Sequence, residues 1–186
     1  MKVFLDACVL YPTVMRAVLE NVAAAGLFQP FWSDRVLEEW ARAAARQGAE
    51  VERVARGEIA AFRDRWPEGA VAGADAAGLW LPDPDDVHVL AAAKAGGCDG
   101  ILTLNTKDFP ARVLAAEGLA RLDPDGFLSR MLDEAPDAVA AAAESVRAEA
   151  ARLSGERWEI RALMKKARLP RFGKALARQS TNSDRA

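Results

Sequence analysis

Five side chains stand where a hydrolytic site would need them. Asp6 closes the apolar run "KVFL", and Asp86 opens the apolar stretch "VHVLAAA". Glu39 lies inside "SDRVLEEWARAA", Asn105 ends "GILTLN", and Asp108 follows in "NTKDF". Carboxylates gathered in one pocket repel each other, and a divalent cation relieves that repulsion. Donors that are all oxygen select hard ions, here Mg2+ or Mn2+. The chemistry that uses such a site is phosphodiester hydrolysis, in which cations acidify water and stabilise the attacking and leaving oxygens. The donors for a structural zinc site are missing. The chain has one histidine, and its two cysteines, Cys8 and Cys98, lie far apart.

Helix geometry separates the acids that capping explains from those it does not. In "LPDPDDVHVLAAA" Pro84 suits the first helical position. Asp83 is then the N-cap, a role worth about 1 kcal/mol. Asp85 and Asp86 in the first turn also favour the positive end of the helix dipole. At about 100° per residue, Asp86 falls within about 40° of Leu90 on the apolar side, while Asp85 points away and His88 faces solvent. A carboxylate on the apolar side is costly unless it is paired or binds a metal. In "SDRVLEEWARAA", Glu39 sits on the flank of the face made by Val36, Leu37 and Trp40, whereas Glu38 lies outside it. Glu39 either reaches inward or pairs on the surface with Arg35 or Arg42.

The elements that position these residues alternate between strand and helix. "KVFLD" reads as a buried parallel strand ending at Asp6. "TVMRAVLENVAAAGL" is helical to near Gly26, and "FQPFWS" is a short strand whose proline suggests an edge. A helix follows with Ser33 as N-cap and Gly48 as stop, then another over "EVERVARGEIAAFRDRWPEG". "AVAGADAAGLWL" is a loop or a short strand. "PDDVHVLAAAKAGG" is a helix, "GILTLN" a strand, and "ARLDPDGFLSRML" a short strand and a short helix. This alternation predicts an α/β sandwich around a parallel sheet. In open sheets of that kind, ligands bind beyond the carboxyl ends of the strands, where Asp6 and Asn105 stand. The local alternatives are a turn-forming Asp6 and Asx turns at Asn105 and Asp108. From Asp133 the pattern becomes helical throughout, with a break at Pro170 and a short polar tail.

With 186 residues, about half of them hydrophobic, the chain suits one domain of ordinary size with an appendage. No apolar stretch approaches the ~20 residues that span a bilayer. "MKVFLDACVL" is not expected to act as a signal peptide. Two distant cysteines in apolar contexts fit reduced thiols in the cytoplasm. The net charge is −2, but from Glu156 to Arg178 eight basic residues face two acidic ones.

"FLDACVLYP", "SDRVLEEWAR", "LPDPDDVHVLAAA" and "ILTLNTKDFP" together resemble the PIN-domain family, most closely bacterial VapC-like toxins. The resemblance covers roughly residues 1–132. It implies a three-layer α/β/α PIN-like sandwich with a central parallel sheet, extended by helices over 133–178 and a disordered tail over 179–186. It also implies a metal-dependent endoribonuclease, the toxin of a toxin–antitoxin pair. The expected partners are an RNA substrate and a cognate antitoxin protein, with a homodimer as a compatible assembly and no membrane. Carried over by position, the family's acids fall on Asp6, Glu39 and Asp86. The fourth position is Asn105, with Asp108 close by. Asp6, Glu39, Asp86 and Asp108 are then the expected ligands for Mg2+ or Mn2+. Lys165, Lys166 and Arg168 in the basic extension are candidate RNA contacts. Three other readings compete. A haloacid-dehalogenase-like phosphatase needs a second acid where Cys8 stands, which removes it. A phosphorylated receiver domain needs an acidic pair that "LDAC" does not supply. A catalytically degenerate PIN-fold binding module remains as the alternative.

Overall fold

Four short strands pair in parallel, in the order β2-β1-β3-β4, as the alternating pattern predicts. A computed structural model describes residues 1–183, with side chains through Gln179. The strands are β1 (Lys2–Leu5), β2 (Gln29–Phe31), β3 (Gly100–Leu102) and β4 (Ala120–Leu122). Pro30 lies in β2, an edge strand, where its missing N–H breaks no ladder. Gly100 is required in β3. A Cβ there would stand 2.6 Å from the Ala120 carbonyl oxygen of β4.

The chain separates into two compact units. The first comprises Met1–Tyr11 and Phe28–Leu122. It holds the sheet and helices α1 (Ala7–Leu10), α3 (Asp34–Ala45), α4 (Ala49–Arg65), α5 (Val87–Ala95) and α6 (Ala111–Ala116). Within it α5 packs on β1 and β3, α6 on β4, and α3 on α1 and α4. Phe4, Leu37, Trp40, Phe62, Leu90 and Phe109 are fully buried. Ser33 caps α3 as its sequence suggests, its hydroxyl accepting the Val36 N–H at 3.4 Å.

The second unit comprises Pro12–Leu27 and the chain from Asp123 onward. It contains α2 (Thr13–Ala24), α7 (Pro124–Glu134), α8 (Pro136–Ser154), α9 (Ile160–Lys166) and α10 (Pro170–Ser183). Helix α2 packs on α8 within this unit. Asp125 is 6% exposed and holds the start of α10. It accepts the N–H groups of Phe172 at 2.8 Å and Arg171 at 3.0 Å, orphan donors at a helix N-terminus. Helix α10 continues five residues past the expected end at 178. The last three residues of the expected tail, 184–186, lie outside the described residues. Among the described residues no helix is long and apolar enough to cross a membrane.

Candidate metal centre at the carboxyl edge of the sheet

Strand pairing brings the ends of β1 and β3 together. Leu5 is in register with Leu102, and the Asp6 N–H continues the ladder to the Leu102 carbonyl at 3.2 Å. Asp6 is 6% exposed and occupies the N-cap position of α1, but its side chain makes no capping bond. Its Oδ2 accepts from the Thr103 hydroxyl at 2.6 Å and from the Cys8 thiol at 2.9 Å. Burial first, and then the Asp6 charge, push the Cys8 thiol up to about 12. Cys8 is therefore a neutral donor to the carboxylate rather than a thiolate nucleophile.

The three aspartates of "DPDD" divide their roles. Asp83 caps the turn, its Oδ1 accepting the Asp85 N–H at 2.9 Å. Residues Pro84–Asp86 form a 3-10 turn, and α5 begins at Val87. Asp86 stands at the N-cap position of α5 without capping it. Its Oδ2 accepts instead from Asn105 Nδ2 at 3.2 Å. Asn105 Oδ1 in turn accepts the Asp108 N–H at 3.2 Å, an Asx-type bond that anchors the loop after β3. Thr103 Oγ1 accepts the Asn105 N–H at 2.9 Å. A chain of polar contacts thus runs from Asp6 through Thr103 and Asn105 to Asp86 and Asp108.

Carboxylate oxygens of Asp83, Asp86 and Asp108 lie within 4.8 Å of one another. This trio is the group of potential metal donors among the described residues. Two of its members, Asp86 and Asp108, are expected ligands, and Asp83 joins them in addition to capping. Asp6 and Glu39 are not in that trio, yet both act on it. The Asp86 carboxyl is raised to about 6, first by burial, then by the charges of Asp6, Asp83, Asp108 and Glu39. The charges of four other acids therefore bear on Asp86. Oxygen donors at this density fit a hard divalent cation, which offsets their mutual repulsion.

Glu39 and Glu38 face different neighbours. Glu39 Oε1 lies 2.8 Å from His88 Nε2 of α5 and 3.5 Å from Arg35 Nε, one of its two expected intrahelical partners. The guanidinium of Arg35 also donates to the Asp85 carbonyl at 2.9 Å, tying α3 to the aspartate turn. Glu38 pairs with Arg56 and Arg42, and the Arg56 hydrogen bonds hold its carboxyl below the usual range. His88 does not face solvent. Its side chain is 13% exposed because Glu39 covers that side of α5, and neither ring nitrogen has an aligned hydrogen bond. A helical wheel identifies the apolar face but not the neighbour that covers the polar one.

The PIN domain family model matches residues 2–107. The chain belongs to the PIN-domain family. No curated protein and no solved structure matches it. The matched PIN segment contains Asp6, Glu39, Asp86 and Asn105, and Asp108 follows one residue after its end. PIN domains are generally nucleases that act on RNA, and this one carries its acids where parallel α/β sheets place ligands. Thr103 escapes a reading for acids alone, although a buried hydroxyl at a strand's carboxyl end is a usable signal. Nothing local to Asp83 marks it as more than a cap.

Proposed function

We propose that this PIN protein is a Mg2+- or Mn2+-dependent endoribonuclease acting in the cytoplasm as the toxin of a toxin–antitoxin pair. The observation that carries the reading is the cluster of Asp83, Asp86 and Asp108 carboxylates, within 4.8 Å of one another, in a PIN domain. Asp83, Asp86 and Asp108 would hold the cation, with Asp6 and Glu39 as the remaining acids of the site. When bound, the cation supplies charge for the phosphate and acidifies water. Thr103 and Cys8 orient Asp6, Asn105 orients Asp86, and Arg35 holds the aspartate turn against α3. Lys165, Lys166 and Arg168, all exposed, supply attraction for a phosphate backbone that the acids repel.

The test is cleavage of single-stranded RNA by purified protein with Mg2+ or Mn2+ and with EDTA. Cleavage is expected with the ions only, and Asp6→Asn abolishes it while circular dichroism stays unchanged. Cleavage in EDTA removes the metal from the mechanism. No cleavage under any condition leaves the degenerate binding module. For the toxin role, expression should arrest growth, and the product of an adjacent small open reading frame should restore it. Co-purification with that product and solution mass then test the antitoxin and the homodimer.

A further inference from the structure

The second unit contains a groove that the acidic site does not use. Its volume is about 350 Å³, within the range of ~300–1,000 Å³ typical of small-molecule pockets. Met15 of α2, Ala150 of α8, and Leu163 and Ala167 of α9 and its end give it apolar walls. Trp158, from the segment joining α8 and α9, forms one side, and Lys166 stands at the same place. The indole is fixed in advance. Its Nε1 donates to Ser154 Oγ at 3.0 Å, and the Trp158 carbonyl accepts from Arg147 Nη1 at 3.1 Å. Lys166 Nζ lies 4.7 Å from the ring centroid. A rigid aromatic side chain offers contact area at little entropic cost.

Lys166 is the charged residue of the lining, and further cations stand near it in the same segment. Arg161, Lys165, Lys166 and Arg168 are exposed and have no carboxylate partner among the described residues. Arg168 also keeps φ at 63°, a backbone conformation that favours glycine, and so holds a guanidinium at the end of α9. An apolar slot with a fixed aromatic wall and cations that lack carboxylate partners has two complementary parts. The slot suits a flat ring, and the cations suit an anionic backbone next to it. Single-stranded nucleic acid carries both. An apolar helix of a partner protein would leave the cations unanswered.

We infer that this groove is an RNA-binding subsite: it takes one unstacked base against Trp158, with Lys166 on the neighbouring phosphate. The inference rests on the nuclease reading only in its choice of RNA as ligand. It is tested with the full chain and a short fluorescein-labelled oligoadenylate in EDTA, so that cleavage plays no part. Anisotropy gives Kd across a salt series. Trp158→Ala should weaken binding about 5- to 150-fold, the range for one base–aromatic stack, with the salt slope unchanged. Trp158→Phe should recover most of that loss. Lys166→Ala should make the log–log salt slope shallower by about 0.7, one released counterion on a single strand. Ala150→Phe fills the groove with Trp158 in place and should weaken binding like Trp158→Ala; it decides the matter if Trp158→Ala fails to fold. Wild-type affinity in both Ala150→Phe and a folded Trp158→Ala overturns the subsite, as does capture of a protein in the groove with RNA binding unaffected by either change. Groove-dependent binding without any RNA cleavage upholds the subsite and defeats the nuclease reading. Cleavage with groove-independent binding does the reverse.

Discussion

Asp86→Asn should stabilise the metal-free protein at neutral pH while it removes metal binding. The Asp86 carboxyl is raised from 3.8 to about 6 by burial and by four neighbouring acids. The native state therefore holds this proton more tightly than the unfolded chain does. That contribution is fully present below the unfolded value and is lost as pH rises through about 6. Holding the proton until pH about 6 instead of 3.8 corresponds to about 3 kcal/mol, at 1.36 kcal/mol for each tenfold in proton affinity. Asp86 is only partly buried, and screening by water and salt reduces this to about 1–2 kcal/mol. Asparagine carries no charge, so it avoids the loss. Urea denaturation in EDTA, at steps from pH 4 to pH 8, measures it. The stability of Asp86→Asn relative to wild type should rise by about 1–2 kcal/mol across that window, chiefly between the unfolded and folded values. At pH 7.5, excess Mg2+ should stabilise the wild type according to RT ln(1 + [L]/Kd) and leave Asp86→Asn unmoved. If the difference stays flat with pH, or the variant is the less stable at neutral pH, Asp86 does not sit in a repulsive acidic field.

The two glutamates of α3 should separate in a cleavage assay. Glu39→Gln should lower kcat/KM at least about tenfold, equivalent to about 1.4 kcal/mol, whereas Glu38→Gln, whose charge is answered by Arg56 and Arg42, should leave it unchanged; the reverse order would place the site on the other side of α3. Asp83→Asn should keep the cap and alter stability by no more than about 0.5 kcal/mol, since asparagine caps as well as aspartate. In calorimetric titration with Mn2+, however, its affinity should fall, because one of three clustered carboxylates is gone. Unchanged affinity would return Asp83 to capping alone.

Local rules settled a definable part of this molecule. The parallel α/β pattern, the Ser33 and Asp83 caps, the edge position of Pro30 and the side of α3 that Glu39 shares with its apolar face depend on neighbours one to four residues away. Such relations are written in periodicity and residue type. They also marked Asp6 as a strand-end acid, because a buried run cannot end in an aspartate without consequence. The rest needed contacts between distant parts of the chain. Asp83 and Asp86 meet Asp108 only because β3 lies next to β1 and carries the following loop to the same edge. Thr103 binds Asp6 across 97 positions of sequence. His88 is covered by a glutamate from another helix, and α2 joins α8 rather than its own neighbours in sequence. Asp125 reads as an ordinary first-turn acid until α10 places two backbone N–H groups on it. A sequence specifies which faces must be buried. Which surfaces meet is decided by the packing of those faces, and the cluster of Asp83, Asp86 and Asp108 exists only once that packing is complete.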